Sequence, residues 1–294
     1  MAYHKKKYAI RGVRNRLGTI VTIAVMHTDI DQGSRALRAA FDEIDRIHDL
    51  MSVQKETSEV ALMNRNGFCE DVSGDTRYVI QRANYYSELT GGAFDITILP
   101  ILELWEESAR RSKAPKEEDI DERLKLVDYR NILVGEKKIS FRKAGMGITL
   151  AGAAKGYAAD RAGEVLRQNN IEHALVNAGG DILAVGGKVD SVPWKIRIRD
   201  PKNKTRCAGA VELRDQAIAT SGTYWRISDD IFDPREGKPV REVASATVVA
   251  KRALDADILA TSMFILGAEK GKDLMGRLEL TESFVVASDG SIRH

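Results

Sequence analysis

The sequence predicts an α+β fold. Helical periodicity dominates the first third of the chain, short β-rich runs dominate after Asn131, and hairpin-type turns outnumber strand–helix–strand units. Gly18 to Met26 alternates and is rich in β-branched residues, so it reads as a strand. Ser34 offers an N-cap to a helix reaching about Leu50, with Leu37, Phe41, Ile44 and Ile47 on its apolar face. Ser52 to Asn66 has no clear period and reads as a polar connection. Ser73 caps a second helix that carries Val79, Ile80, Ala83 and Tyr86 on one face.

Thr90 to Asp95 is a turn into an apolar segment, Ile96 to Trp105, with Pro100 early in it. Residues 106–123 shift to charge and read as a surface excursion with a short helix. Short strands are predicted at Ile132–Val134, Ile139–Arg142 and Gly147–Leu150, followed by a helix from Ala154 to about Asn169. His173–Asn177, Ile182–Val185, Trp194–Arg199, Ala208–Leu213 and Ala217–Thr220 follow as strands, the first two separated by the Ala178-Gly179-Gly180-Asp181 turn. Asp233 to Pro239 has turn chemistry. A buried-type strand at Ala244–Ala250, a helix from about Leu254 to Gly267 and a strand at Ser283–Ala287 complete the pattern.

Composition narrows the function classes. A content of 43% hydrophobic and 30% charged residues is that of a soluble globular protein. A formal charge of +2 supplies no field for nucleic acid. Two cysteines, Cys69 and Cys207, support neither a disulfide scaffold nor a cysteine zinc site. The histidines at 4, 27, 48, 173 and 294 show no metal-ligand spacing. No apolar run is long enough for a transmembrane segment and the start of the chain has no signal-peptide pattern, so a cytoplasmic location is expected.

Two constellations carry chemistry. Ile148 to Arg161 runs from a β-like stretch through Ala151, Gly152, Ala153 and Ala154 into a helix. A small-residue entry leaves first-turn N–H groups free to meet a phosphate, and Lys155 adds a positive charge there. The alternative is close packing of small residues with Lys155 solvated. Neither standard nucleotide fingerprint is present. Asp257 and Thr261 are four apart on a predicted helix and share a face. Their hard oxygens suit Mg²⁺, while an Asp near a helix N-terminus is otherwise a capping or dipole residue.

Several motifs together resemble the ApbE family of FAD:protein FMN transferases. They are Gly91–Thr97 (GGAFDIT), Thr149–Ala158 (TLAGAAKGYA), Leu175–Asp181 (LVNAGGD), Ile218–Tyr224 (IATSGTY), Asp233–Pro239 (DPREGKP) and Ala256–Thr261 (ADILAT). The resemblance covers roughly Leu17 to Leu266, nearly the whole chain. It implies a single domain over residues 1–294, a bilobed, T-fold-related α+β structure of mixed sheets and packed helices, with FAD between the lobes. It further implies Mg²⁺-dependent attack by a Ser or Thr hydroxyl of an acceptor flavoprotein on the FMN phosphate of FAD, releasing AMP. The acceptor would carry a D-x-x-[ST]-G-A-[ST]-like target.

Carried over residue by residue, Ala93, Phe94 and Asp95 would line the FAD site and Lys155 would meet the cofactor. Gly152, through its carbonyl, Asp257 and Thr261 would hold the metal. Four positions depart from the family pattern: Thr149 stands where many members have Asp, Asp230 where many have His, Leu17 for a common Met, and Gln54 for an aromatic that contacts flavin. Asp230 is the candidate base. An FAD pyrophosphatase and a non-catalytic flavin-binding or maturation protein are the alternative readings.

Overall fold

The computed structural model describes residues 7–188, 192–203, 205–223, 231–278 and 282–293. Strands β1 (Tyr8–Arg16) and β2 (Thr19–His27) form a hairpin through Leu17 and Gly18. Both turn residues have positive φ, 55° and 69°, the twist that a two-residue hairpin loop requires. β1 was not anticipated, because Gly12 interrupts its pattern. That glycine accommodates the first helix: a Cβ there would lie 2.6 Å from the Phe41 ring.

Helix α1 (Ile30–Met51) is capped by Asp29, not Ser34; the Asp29 carboxylate accepts from Asp31 N and Gln32 N at 2.9 and 3.0 Å. Gly33 lies inside the helix, where a Cβ would stand 2.2 Å from the end of the Ile10 side chain. The supposed connection 52–66 contains α2 (Glu59–Asn66), capped by Ser58. Eight residues with only Val60 and Met63 buried are too few to show a period. β3 (Phe68–Cys69) precedes α3 (Gly74–Leu89), which Ser73 caps as expected. A 3₁₀ turn at Ile96–Ile98 leads into α4 (Leu99–Arg110), with Pro100 in its first turn.

The charged excursion includes α5 (Glu117–Leu124). One apolar face anchors it: Ile120 packs with Ile101, Leu104 and Phe232. β4 (Ile132–Val134) and β5 (Ile139–Phe141) join β3 in a small sheet. The strand expected at Gly147–Leu150 does not form. Instead, the Asn64 side-chain amide donates to Ile148 O at 2.9 Å and accepts from Ile148 N at 2.7 Å, standing in for a neighbouring strand.

α6 (Ala154–Gln168) then leads to β6 (Ala174–Ala178), β7 (Asp181–Val185), β8 (Trp194–Arg199), β9 (Cys207–Leu213) and β10 (Ala217–Gly222). β11 (Phe232–Asp233) and β12 (Lys238–Pro239) flank the DPREGKP turn. β13 (Val243–Ala250), α7 (Ala253–Arg277), β14 (Ser283–Ala287) and β15 (Ile292–Arg293) follow. α7 breaks at Gly267, with φ 74° and ψ 179°, where the sequence expectation ended it.

The main sheet runs β1-β2-β6-β7-β10-β13-β14-β15. The described ladders of this sheet are antiparallel. One face carries α1, α6 and α7 over a core that includes Val21, Ile23, Ile44, Leu166, Val248 and Phe264. The other carries the β8–β9 hairpin, whose Trp194, Ile198, Val211 and Leu213 pack on Ile182, Ala184, Ile218 and Val249. Among the described residues no helix is long and apolar enough to cross a membrane.

α6 and α7 are joined by an acid in place of a conventional cap. Arg252, the N-cap residue of α7, makes no side-chain capping bond; Asp160 of α6 instead accepts from Ala253 N at 2.8 Å and Leu254 N at 3.0 Å. Burial outweighs these two hydrogen bonds and raises the Asp160 carboxyl from 3.8 to about 6. The folded chain therefore holds a proton between those values that the unfolded chain has released. Stability supplied by this group is present at low pH and is lost as pH rises through about 6. Asp160→Ala should destabilise the protein by about 2–3 kcal/mol by orphaning buried N–H groups. It should also flatten the pH dependence across that window. Urea unfolding of both proteins at several pH values checks both effects.

Candidate active site

A cavity of about 2080 Å³ lies where the β1–β2 turn, the segment before α4, the start of α6, the β6–β7 turn, β8, β10 and α7 converge. At its wall, Lys155 Nζ pairs with Asp181 and reaches the two Asp257 oxygens at 3.2 and 3.3 Å. The Lys155 side chain keeps 28% of its exposure, whereas those of Asp181 and Asp257 keep 4% and 3%. Burial alone would lower the Lys155 pKa; the two carboxylates reverse that and raise it, so the ammonium stays charged. Burial and the neighbouring Asp257 charge push Asp181 up against the pull of Lys155. Two buried carboxylates thus face one ammonium.

The small-residue entry to α6 behaves differently from the anion cradle expected of it. Ala153 N and Ala154 N donate to Leu150 O at 2.9 and 2.7 Å, and Gly156 N donates to Asp257 at 3.1 Å. Gly156 also serves close packing, since a Cβ there would lie 2.2 Å from Ala253 O. Lys155 is neither solvated nor free. A phosphate entering beside two carboxylates is repelled unless a cation accompanies it.

Suitable donors converge nearby. Thr261 lies one turn after Asp257 on α7, and its hydroxyl is 2.9 Å from Ser221 Oγ of β10. A Cβ on Gly152 would stand 3.4 Å from Thr261 Oγ1 and 3.1 Å from the Phe94 ring, so these groups crowd one corner of the cavity. Carboxylate, hydroxyl and carbonyl form a hard oxygen set, and the excess negative charge beside it suits a divalent cation. Among the described residues no group of three His, Cys, Asp or Glu is poised to hold a metal, so a site here depends on the hydroxyl and carbonyl.

Of the other expected site residues, Leu17, Phe94, Asp95 and Thr149 line the cavity. Asp95 is occupied structurally: its carboxylate accepts from Thr97 N at 2.8 Å, Thr97 Oγ1 at 2.6 Å and Tyr129 N at 2.9 Å, while burial raises its pKa. Ala93 is fully buried and outside the lining, and Gln54 is exposed away from it. Asp230 lies outside the described residues. Sequence reasoning missed Asp181 and Ser221 as site members. Their places in the LVNAGGD and IATSGTY motifs were the available signals, but the partners lie far off in sequence, Lys155 26 residues from Asp181 and Thr261 40 from Ser221.

Comparison with known proteins gives a consistent picture. Residues 17–284 match the ApbE family. The chain is 28% identical to an FAD:protein FMN transferase of Vibrio cholerae serotype O1, over 94% of this chain and 87% of that one. It is 32% identical to a Klebsiella pneumoniae protein of the same name, over 86% and 82%. The crystal structure of the ApbE protein of Thermotoga maritima superposes with a TM-score of 0.87 at 32% identity, covering 98% of this chain and 97% of that one. The Vibrio cholerae flavin transferase ApbE gives 0.86 at 26% identity, covering 98% and 96%. With its fold, its motifs and nearly its whole length in register with these proteins, the chain belongs to the ApbE family.

Proposed function

We propose that this protein transfers FMN from FAD to a Ser or Thr hydroxyl of an acceptor flavoprotein, releasing AMP, in a Mg²⁺-dependent reaction. The observation that carries the reading is the Lys155–Asp181–Asp257 cluster, two buried carboxylates on one ammonium, at the wall of a cavity large enough for a dinucleotide. The names of the matched relatives supply the reaction class.

Asp257, Thr261 and the Gly152 carbonyl would hold Mg²⁺, and the chemistry supplied there is neutralisation of pyrophosphate charge. Ser221 orients the Thr261 hydroxyl. Asp181 holds the Lys155 ammonium at the cavity wall, where it offsets charge developing on the phosphoryl oxygens. The acceptor oxygen forms a bond to the phosphorus of the FMN half as the bond to AMP breaks. The hydroxyl proton passes to a base, a role assigned to Asp230 from its sequence position alone. Positioning and charge stabilisation supply most of the rate.

Incubation with FAD, Mg²⁺ and an acceptor domain carrying a D-x-x-[ST]-G-A-[ST]-like target should add one FMN per acceptor, seen by mass spectrometry, with equimolar AMP. AMP release in an acceptor-free control, with the acceptor unmodified, would instead establish a pyrophosphatase. Bound FAD with neither product would establish a flavin-binding protein.

A further inference from the structure

The two faces of the main sheet are covered unequally. On the face away from the helices, the β8–β9 hairpin lies over β7, β10 and β13. Gly209 of β9 sits against Phe284 of β14, so β9 lies on the β14 side and β8 on the side of β6 and β2. The packing reaches Leu175 of β6 and Met26 at the far end of β2, and nearer the β1–β2 turn that face is bare. Val13 and Ile20 are 66% and 60% exposed, more than any other large apolar side chain among the described residues.

Register puts them together. Gly12 and Arg14 of β1 face Phe41 of α1, so Arg11 and Val13 point the other way. On β2, Val21, Ile23 and Val25 are buried toward the helices, which leaves Ile20 and Thr22 on the Val13 side. Val13 pairs with Thr22 and Asn15 with Ile20, making Val13 and Ile20 diagonal neighbours.

The bare patch is continuous with the cavity. Ile20 and Thr22 line it, as do the four consecutive β8 residues Ile196, Arg197, Ile198 and Arg199. Strand side chains alternate, so four in a row border one space only where the strand turns its edge toward it. Among the described residues β8 pairs with β9 alone, so this edge is open to another strand. Charge distinguishes the two rims. Lys195 stands opposite Glu212 on the hairpin, but Arg197 stands opposite Ala210, and Arg11 opposite Ala24.

We propose that the step between the outer edge of β8 and the bare face of β1–β2 is the docking surface for the acceptor protein. An extended acceptor segment adds along β8, rests apolar side chains on Val13 and Ile20 and pairs an acidic side chain with Arg197. In that position its hydroxyl is carried into the cavity. The inference rests on the transferase reading. A macromolecular nucleophile must cross this mouth to reach the cluster, and strand addition is a narrow way to do so.

The test uses the full chain loaded with FAD and Mg²⁺, and an acceptor domain carrying the D-x-x-[ST]-G-A-[ST]-like target. Calorimetry reads acceptor binding, transfer kinetics read KM against kcat, and flavin fluorescence reads FAD affinity. Val13→Asp and Arg197→Glu should each weaken acceptor binding and raise its KM by about tenfold or more; Val13, which lies outside the cavity lining, should do so with FAD affinity, kcat and melting temperature unchanged. A reversed acceptor, with its acidic residues changed to Lys, should recover binding to Arg197→Glu. Acceptor affinity within about twofold of wild type in both variants would overturn the proposal. So would a parallel loss of FAD affinity in Val13→Asp, or a wild-type protein that binds no acceptor. If wild type binds the acceptor through these residues yet forms no FMN adduct, the docking surface stands and the transfer reading fails.

Discussion

Asp257→Asn should lower FMN transfer by about 10²–10³-fold while the protein still folds. The substitution keeps the shape of the side chain and one acceptor for Gly156 N, 3.1 Å away in the native protein. It removes the negative charge that, with Thr261 one turn on, would hold the cation. It also takes one of two carboxylates from Lys155, leaving Asp181 to pair with the ammonium alone. The cluster then becomes neutral, and its affinity for a divalent ion falls. The rate should recover partly at high Mg²⁺ concentration, a response that simple misfolding would not give. Labelling of the acceptor, followed by mass spectrometry across a Mg²⁺ titration, measures both. A variant within about threefold of wild type at low Mg²⁺ removes Asp257 from the proposed site.

Gly156→Ala should be as damaging by a different route. The new methyl would stand 2.2 Å from Ala253 O, 2.6 Å from Ala253 C and 2.8 Å from Leu254 N. These are backbone atoms at the start of α7, unable to rotate away. Helices α6 and α7 must separate, and the Asp160 bonds to Ala253 N and Leu254 N lengthen with them. Overpacking of this kind should cost about 2–4 kcal/mol. For a chain of this size the melting temperature falls by roughly 3–6 °C. Lys155 rides on α6 and Asp257 on α7, so the same separation pulls the site apart. Transfer by the folded fraction should drop by more than about tenfold. Calorimetric melting with acceptor labelling at a temperature where both proteins are folded checks both effects; a variant that melts with wild type shows that the helices have room.

Legibility of the sequence followed physical scale. Amphipathic or β-branched elements with their own period, such as Phe41 and Ile44 on α1 or Val248 on β13, announced themselves locally. Elements that rely on a distant partner did not. β1 needs Phe41 to fill the notch at Gly12, and Ile148 takes Asn64 as its neighbour across 84 residues. The Asp257–Thr261 pair was readable because helical spacing places both on one face. Asp181 was not, because its meaning comes from Lys155, 26 residues earlier, and from Asp257. The phosphate cradle misled because free N–H groups were inferred from local small residues, whereas Leu150 O takes those of Ala153 and Ala154 and Asp257 takes that of Gly156.

The pairing of β2 with β6 joins Val21 to Ala178 and Val25 to Ala174. Ribosomal synthesis delivers the first partner long before the second. At about 5–20 residues per second, the β1–β2 hairpin and α1 wait roughly six to thirty seconds for their neighbour. Through that interval Val21, Ile23, Phe41 and Ile44, all buried in the finished protein, have no sheet centre or α6 to cover them. The nascent chain therefore spends its youth as a sticky amphiphile. Its yield in a cell should depend on holdase chaperones at the tunnel exit more than on the stability of the completed fold.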